Sequence, residues 1–190
     1  MKRPPHSQPA TPARLVKTPI LPRDPTKSYL WGPPESHDAL IGRVVWRWSA
    51  LELIVEELIW EILDMGVEAG RRITATLDFK FKVRLLKEVA PVKLNATELA
   101  SLNKLINRAD DLYTLRNYVA HGQWVTVMPG NLPAVQTLRE KLPPDAAKNE
   151  VVLLDCPKEW MEEVIKHMII TGGLFSQCKN YLQKSKQVSR

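Results

Sequence analysis

The sequence predicts a mainly α-helical fold: an up-and-down bundle of four to five helices with a small β insertion around residues 124–155. Two observations carry this. Apolar residues recur at spacings of three and four through long stretches on both sides of the insertion, which is the period of a helix with one buried face. Within the insertion that period gives way to short valine- and leucine-rich runs broken by prolines and a glycine, the pattern of short strands and turns. At 190 residues, 44% hydrophobic and 25% charged, the chain has enough apolar material for one domain with a core.

The elements follow in order. Residues 1–35 hold nine of the fifteen prolines, each of which removes a backbone donor and disfavours helix in the residue before it. This segment is expected to be a disordered or extended tail, docking through Tyr29 and Trp31 if it docks at all. The domain proper is placed at 36–186, with 187–190 as a disordered C-terminus. Ser36 or Asp38 is expected to cap the first helix, residues 38–65. There Leu40, Val44, Trp48, Leu51, Val55, Leu58 and Ile62 form one stripe, and Ile41, Val45, Trp48, Glu52, Val55 and Ile59 form a second beside it. Two adjacent stripes describe a helix at the centre of a bundle. Glu52 interrupts the second stripe and needs a partner, for which an arginine is the natural type.

Residues 67–78 and 80–90 read as shorter helices, the second ended by Pro91. Lys80, Lys82, Arg84 and Lys87 make the one local basic cluster of the domain, suited to a solvated face or to an RNA backbone. Residues 96–121 form the next long helix, with Asn95 or Thr97 as N-cap, Glu98 near its start and Gly122 as its stop. Its stripe runs Leu102, Leu105, Ala109, Leu112, Arg116 and Val119, so Arg116 falls in register with apolar positions. Trp124–Val127 and Val151–Leu154 read as strands, with Ala134–Leu138 as a third. Pro157 opens the final helix. Trp160, Val164, His167, Thr171, Leu174 and Cys178 step along it, and Gly172-Gly173 marks a kink or a close helix contact.

Composition narrows the function classes. Of the net charge of +6, the first 37 residues contribute four, through Lys2, Arg3, Arg14, Lys17, Arg23 and Lys27 against Asp24 and Glu35. The domain is therefore nearly balanced, and the basic excess does not by itself single out a nucleic-acid partner. No apolar run approaches the roughly 20 residues of a membrane span. Cys156 and Cys178 lack metal-ligand spacing, so an intracellular, cytoplasmic, reduced protein without a zinc site is expected. Phosphate-loop, dinucleotide, zinc-protease and nucleophile-elbow motifs are missing, and no cofactor is expected.

Chemistry concentrates in Arg116-Asn117-Tyr118-Val119-Ala120-His121, followed by Gly122. Arginine can hold a phosphate, and histidine can move a proton near neutral pH. Asn117 and His121 are four apart and share a helix face, so Asn117 can orient the imidazole. Arg116 and His121 are five apart, about 140° around a regular helix. Either the helix loosens at His121, or each residue meets its functional partner from another chain. In a purely structural role, Arg116 would pair with Glu52 and His121 would cap the helix C-terminus.

The stretch from Asp110 to Gly122 resembles the signature of the HEPN superfamily, in which an arginine, a polar neighbour and a histidine four to six positions on close a long helix. Trp46-Arg47-Trp48-Ser49-Ala50-Leu51-Glu52 is also similar to the opening helix of such domains. The resemblance covers roughly residues 38–186; the strand-containing insertion departs from a minimal four-helix version. It implies a homodimer with two motif copies facing one cleft. It further implies a metal-independent endoribonuclease acting on RNA, often a toxin or antiphage effector with an antitoxin or regulatory protein as partner. Some members only bind or scaffold, so a non-catalytic helical binding module or accessory subunit is the alternative. Carried onto this chain, His121 is the general base or acid, Arg116 holds the scissile phosphate, Asn117 orients, and Glu52 fixes Arg116. His167, on an apolar stripe, is expected to be a satisfied core histidine; His6 and His37 are expected to lack partners.

Overall fold

A computed structural model describes residues 27–128, 130, 132–138 and 151–188; the expectations for 1–26, for the loop 139–150 and for the last two residues lie outside them. Five α-helices and a four-stranded sheet make up the fold: β1 (Ser28–Trp31), α1 (Asp38–Ile62), α2 (Val67–Thr74), α3 (Phe79–Val89), α4 (Ala96–His121), β2 (Gln123–Met128), β3 (Leu132–Leu138), β4 (Val151–Asp155) and α5 (Lys158–Val188).

All seven residues of the principal α1 stripe are buried. Removing each such side chain from water is worth about 1.5–3 kcal/mol, so α1 forms the axis of the core. It packs against α2, α3, α4 and, most extensively, α5. The helix does not start on a side-chain cap from Ser36 or Asp38. A 3-10 turn at Glu35–His37 runs directly into it, and His37 at the N-cap is already helical. Ser36 Oγ bonds the ring of His37 instead.

The chain direction can be followed through side-chain contacts. α2 returns along α1, with Gly70 against the Trp60 ring and Thr74 Oγ1 donating to Glu56. α3 runs forward again, from Phe79 edge-on to Trp48 to the ion pair of Lys93 with Asp64 just beyond it. α4 starts at that end with a capping box: Asn95 Oδ1 accepts from the backbone of Thr97 and Glu98, and the Glu98 carboxylate accepts from Asn95 N. It runs back to pair Asp110 with Lys80. α5 runs parallel to α1, since Lys179 meets Glu57 and Gln183 meets Glu61 at a constant offset. The five helices thus alternate up and down, as the sequence predicts.

The sheet is an antiparallel meander ordered β1-β2-β3-β4. Its first strand comes from the end of the proline-rich segment, which is pinned here: Leu30 pairs with Thr126 and Trp31 with Val125. The alternation of a strand splits the β2–β3 side chains between two faces. Trp124 and Val135, with Cys156, join the helical core, while Val125, Val127 and Ala134 form a separate cluster. α5 continues to Val188, so residues 187 and 188 belong to the helix. Gly172-Gly173 does not interrupt it; Gly172 faces Ile54 of α1 and Gly173 faces open space.

Candidate functional site

The Arg116–His121 motif closes α4 where the bundle meets the sheet. The last turn of a helix leaves carbonyls without intrahelical donors. Here Gly122 N donates to Tyr118 O at 3.0 Å, and the Trp124 indole donates to Val119 O at 2.9 Å. A strand residue therefore fastens the helix end. Gly122 stops the helix with φ −69° and ψ 153°, in extended backbone. Glycine is needed there for space: a Cβ would run into Val135 of β3 and into the Tyr118 carbonyl.

Within this frame Arg116 Nη1 donates to His121 Nε2 at 2.8 Å and to Asn117 Oδ1 at 3.0 Å. The expected divergence of Arg116 and His121 is not observed. The arginine is long enough to reach down the final turn, so one chain brings both residues together without loosening the helix. The imidazole is met by Arg116 in place of Asn117, whose amide oxygen steadies the guanidinium. An arginine can only donate, so His121 Nε2 is unprotonated in this contact and the ring proton sits on Nδ1. His121 is exposed and Arg116 half-buried. Arg116 Nε is buried with no hydrogen-bond partner.

Glu52 is not the partner of Arg116. It accepts from Lys82 Nζ at 2.6 Å and from the Trp48 indole at 3.2 Å. Lys82 also meets Glu56 at 2.7 Å. Glu52 does take a cation, as its place on an apolar stripe requires, but α3 supplies a lysine in place of the expected arginine. Lys82 therefore drops out of the basic cluster that the sequence offers for an RNA backbone: it is 5% exposed. Burial works against its charge, yet the bonds to Glu52 and Glu56 outweigh that and hold the ammonium above its ordinary value. Lys80 pairs with Asp110 and lies near the Tyr113 ring. Of these four, Arg84, over the Phe81 ring, and Lys87 stay exposed and have no carboxylate partner among the described residues.

Two further histidines are engaged. His37, expected to lack partners, is buried; its Nε2 donates to Cys156 O at 3.1 Å and its ring lies 6.0 Å from that of Trp124. It ties the start of α1 to the end of β4. His167 is half-buried and accepts at Nδ1 from Arg108 Nη2 at 2.6 Å. Burial, then the charge of Arg108, holds it below its ordinary value. Arg108 carries no sequence signal of its own, because its partner lies 59 positions away on α5.

An open cavity of about 630 Å³ lies between β1 and the start of α5, bordered by Trp31, Pro34, Ser36, Thr126 and Lys158, and no residue of the motif lines it. Cys156 is buried, and its thiol is pushed up to about 12 by burial and by the Asp155 carboxylate. Among the described residues, no three His, Cys, Asp or Glu side chains are placed to hold a metal ion, and no helix is long and apolar enough to cross a membrane. No protein-family model, curated protein or solved structure matches the chain.

Proposed function

We propose that this chain is a metal-independent endoribonuclease of HEPN type, working as a homodimer, in which Arg116 and His121 act on one phosphodiester. The observation that carries the reading is the 2.8 Å contact between Arg116 Nη1 and His121 Nε2 at an exposed helix end. A phosphate anchor and an unprotonated imidazole nitrogen lie side by side, as general-base attack on a phosphodiester requires.

A phosphate entering this contact draws the guanidinium onto its non-bridging oxygens and frees Nε2. His121 then takes the proton of the ribose 2′-hydroxyl. The 2′-oxygen forms a bond to phosphorus, the bond from phosphorus to the 5′-oxygen breaks, and Arg116 stabilises the charge that builds between these events. The leaving 5′-oxygen takes a proton from a second copy facing the same phosphate, whose imidazole enters the step as the protonated imidazolium and leaves it neutral. The products are a 2′,3′-cyclic phosphate and a 5′-hydroxyl. Asn117 holds the guanidinium in line throughout. Because the nucleophile is the 2′-hydroxyl, RNA is the substrate and DNA is not.

The test incubates purified protein with RNA in EDTA. Wild type is expected to cleave, and His121→Ala and Arg116→Ala to lose on the order of 10²–10⁴-fold in rate. Equal cleavage by wild type and His121→Ala, or none by either, sinks the nuclease reading. RNA bound but left intact by wild type would point to the non-catalytic binding module.

A further inference from the structure

Most charged basic side chains in contacts within the fold meet a carboxylate: Arg72, Lys80, Lys82, Lys93, Lys166 and Lys179. Arg108 and Arg116 do not. Among the described residues neither has a carboxylate within ion-pair distance, and each leans on an imidazole nitrogen instead. Each also has a buried Nε with no hydrogen-bond partner. A neutral imidazole accepts a hydrogen bond but leaves the cationic charge standing. Both residues are half-buried, and at Arg108 a positive charge is held partly out of water without a counter-ion, which is costly. Burial alone pushes the Arg108 guanidinium below its ordinary value.

The two arginines share one helix. Eight residues apart, they are separated by roughly 12 Å along α4 and about 80° around it, with buried Leu112 one turn from each. Arg108 lies on the seam between α4 and α5, because His167 reaches it from α5. Glu163 does not neutralise it: that carboxylate lies 4.0 Å from His167 Nε2 and is bonded to Lys166 at 3.1 Å.

We propose that Arg108, held by His167, is a second phosphate-binding subsite, taking a phosphate further along the same RNA strand whose scissile phosphate sits at Arg116. The inference rests on the endoribonuclease reading above. It places the strand along the α4–α5 seam. When the subsite is empty, His167 accepts from Arg108 and keeps the fork ordered; when a phosphate arrives, the guanidinium turns its free edge to it. Arg108 is then a binding residue and His167 a positioning residue.

The experiment uses the full chain carrying His121→Ala, so that binding is read without cleavage. A fluorescently labelled single-stranded RNA is titrated by anisotropy across a salt series. Adding Arg108→Gln should weaken binding roughly tenfold and flatten the slope of log affinity against log salt by about one contact. If Arg108→Gln binds like its parent with the same slope, the subsite is refuted and the nuclease reading is untouched. If neither protein binds RNA, both ideas fall together. If Arg108→Gln does not melt cooperatively, the His167 ring resonances of the His121→Ala protein decide the matter. They shift on RNA addition if Arg108 is drawn away, and stay in place if it is not.

Discussion

At the scale of single residues, the most heavily constrained charge is Lys82, buried and enclosed by two carboxylates. Removing one partner of a buried ionic group leaves the others uncompensated, at a cost of about 3–5 kcal/mol. Lys82→Met should therefore destabilise the fold by that amount in urea unfolding at pH 7. In the wild type the lysine is held above its ordinary value. Its contribution is thus intact below the ordinary lysine range and is lost only as pH climbs through the folded value. His167 behaves oppositely. Held low by burial and Arg108, it gains a proton more readily in the unfolded chain, so stability falls as pH drops below about 6.5. His167→Gln, which keeps an acceptor for Arg108, should flatten that slope between pH 5 and 7; unchanged slopes would count against the assignment. The need of Glu52 for a cation was legible in the sequence because an acidic residue broke an apolar stripe. The identity of the cation was not, since Lys82 arrives from 30 positions away on a helix whose direction no local pattern sets.

At the scale of elements, α4 depends on its ends. The Asn95–Glu98 box satisfies donors that the first turn cannot satisfy itself, and Asn95→Ala should cost about 1 kcal/mol, read as a lower thermal midpoint. α5 offers the reverse case. Gly173 sits mid-helix with nothing within 4 Å of an added Cβ, so Gly173→Ala should stabilise by roughly 0.5–1 kcal/mol. A loss of stability instead would mean that this helix face is covered in solution. The α1 stripe was fully readable, since one wide face meets partners all along its length. The α5 stripe was only partly so. Val164 and Thr171 are buried as read, but Trp160, His167, Leu174 and Cys178 are half-buried, and Met161, Ile165, Met168 and Phe175 fill the core. A helix wedged between α1 and α4 buries two overlapping arcs, and a single row of positions describes neither. β1 was missed for a different reason: four residues between prolines are too few to establish a period of two.

At the scale of the molecule, helices and sheet are joined at one seam where His37, Trp124, Val135 and Cys156 meet. Cys156 is 0% exposed there and its thiol is pushed up to about 12, whereas Cys178 is half-buried. A thiol reagent should therefore label Cys178 in the native protein well before Cys156. The rate at Cys156 should follow global unfolding, converging with that of Cys178 in denaturant. Equal native rates would show that the sheet parts from the bundle on its own. The number of long helices was visible in the sequence from their apolar periods, but the direction of α5 was not, because the sheet separates it from α4. The joint was not visible, because it gathers residues from both ends of the chain. The same holds for the motif: its residue types and helix-end position could be read directly, but the reach of Arg116 to its own His121 depends on side-chain conformation that spacing does not report.

The crowding at Gly122 separates heritable tolerance from chemistry. His121 can be exchanged without any steric demand on the fold, since it is exposed, whereas its neighbour has no room for a single added methyl group against Val135. In a library randomised at both positions and sorted for folded protein alone, position 121 should drift freely while position 122 returns glycine. On the endoribonuclease proposal, a second sort for RNA cleavage would then fix the histidine.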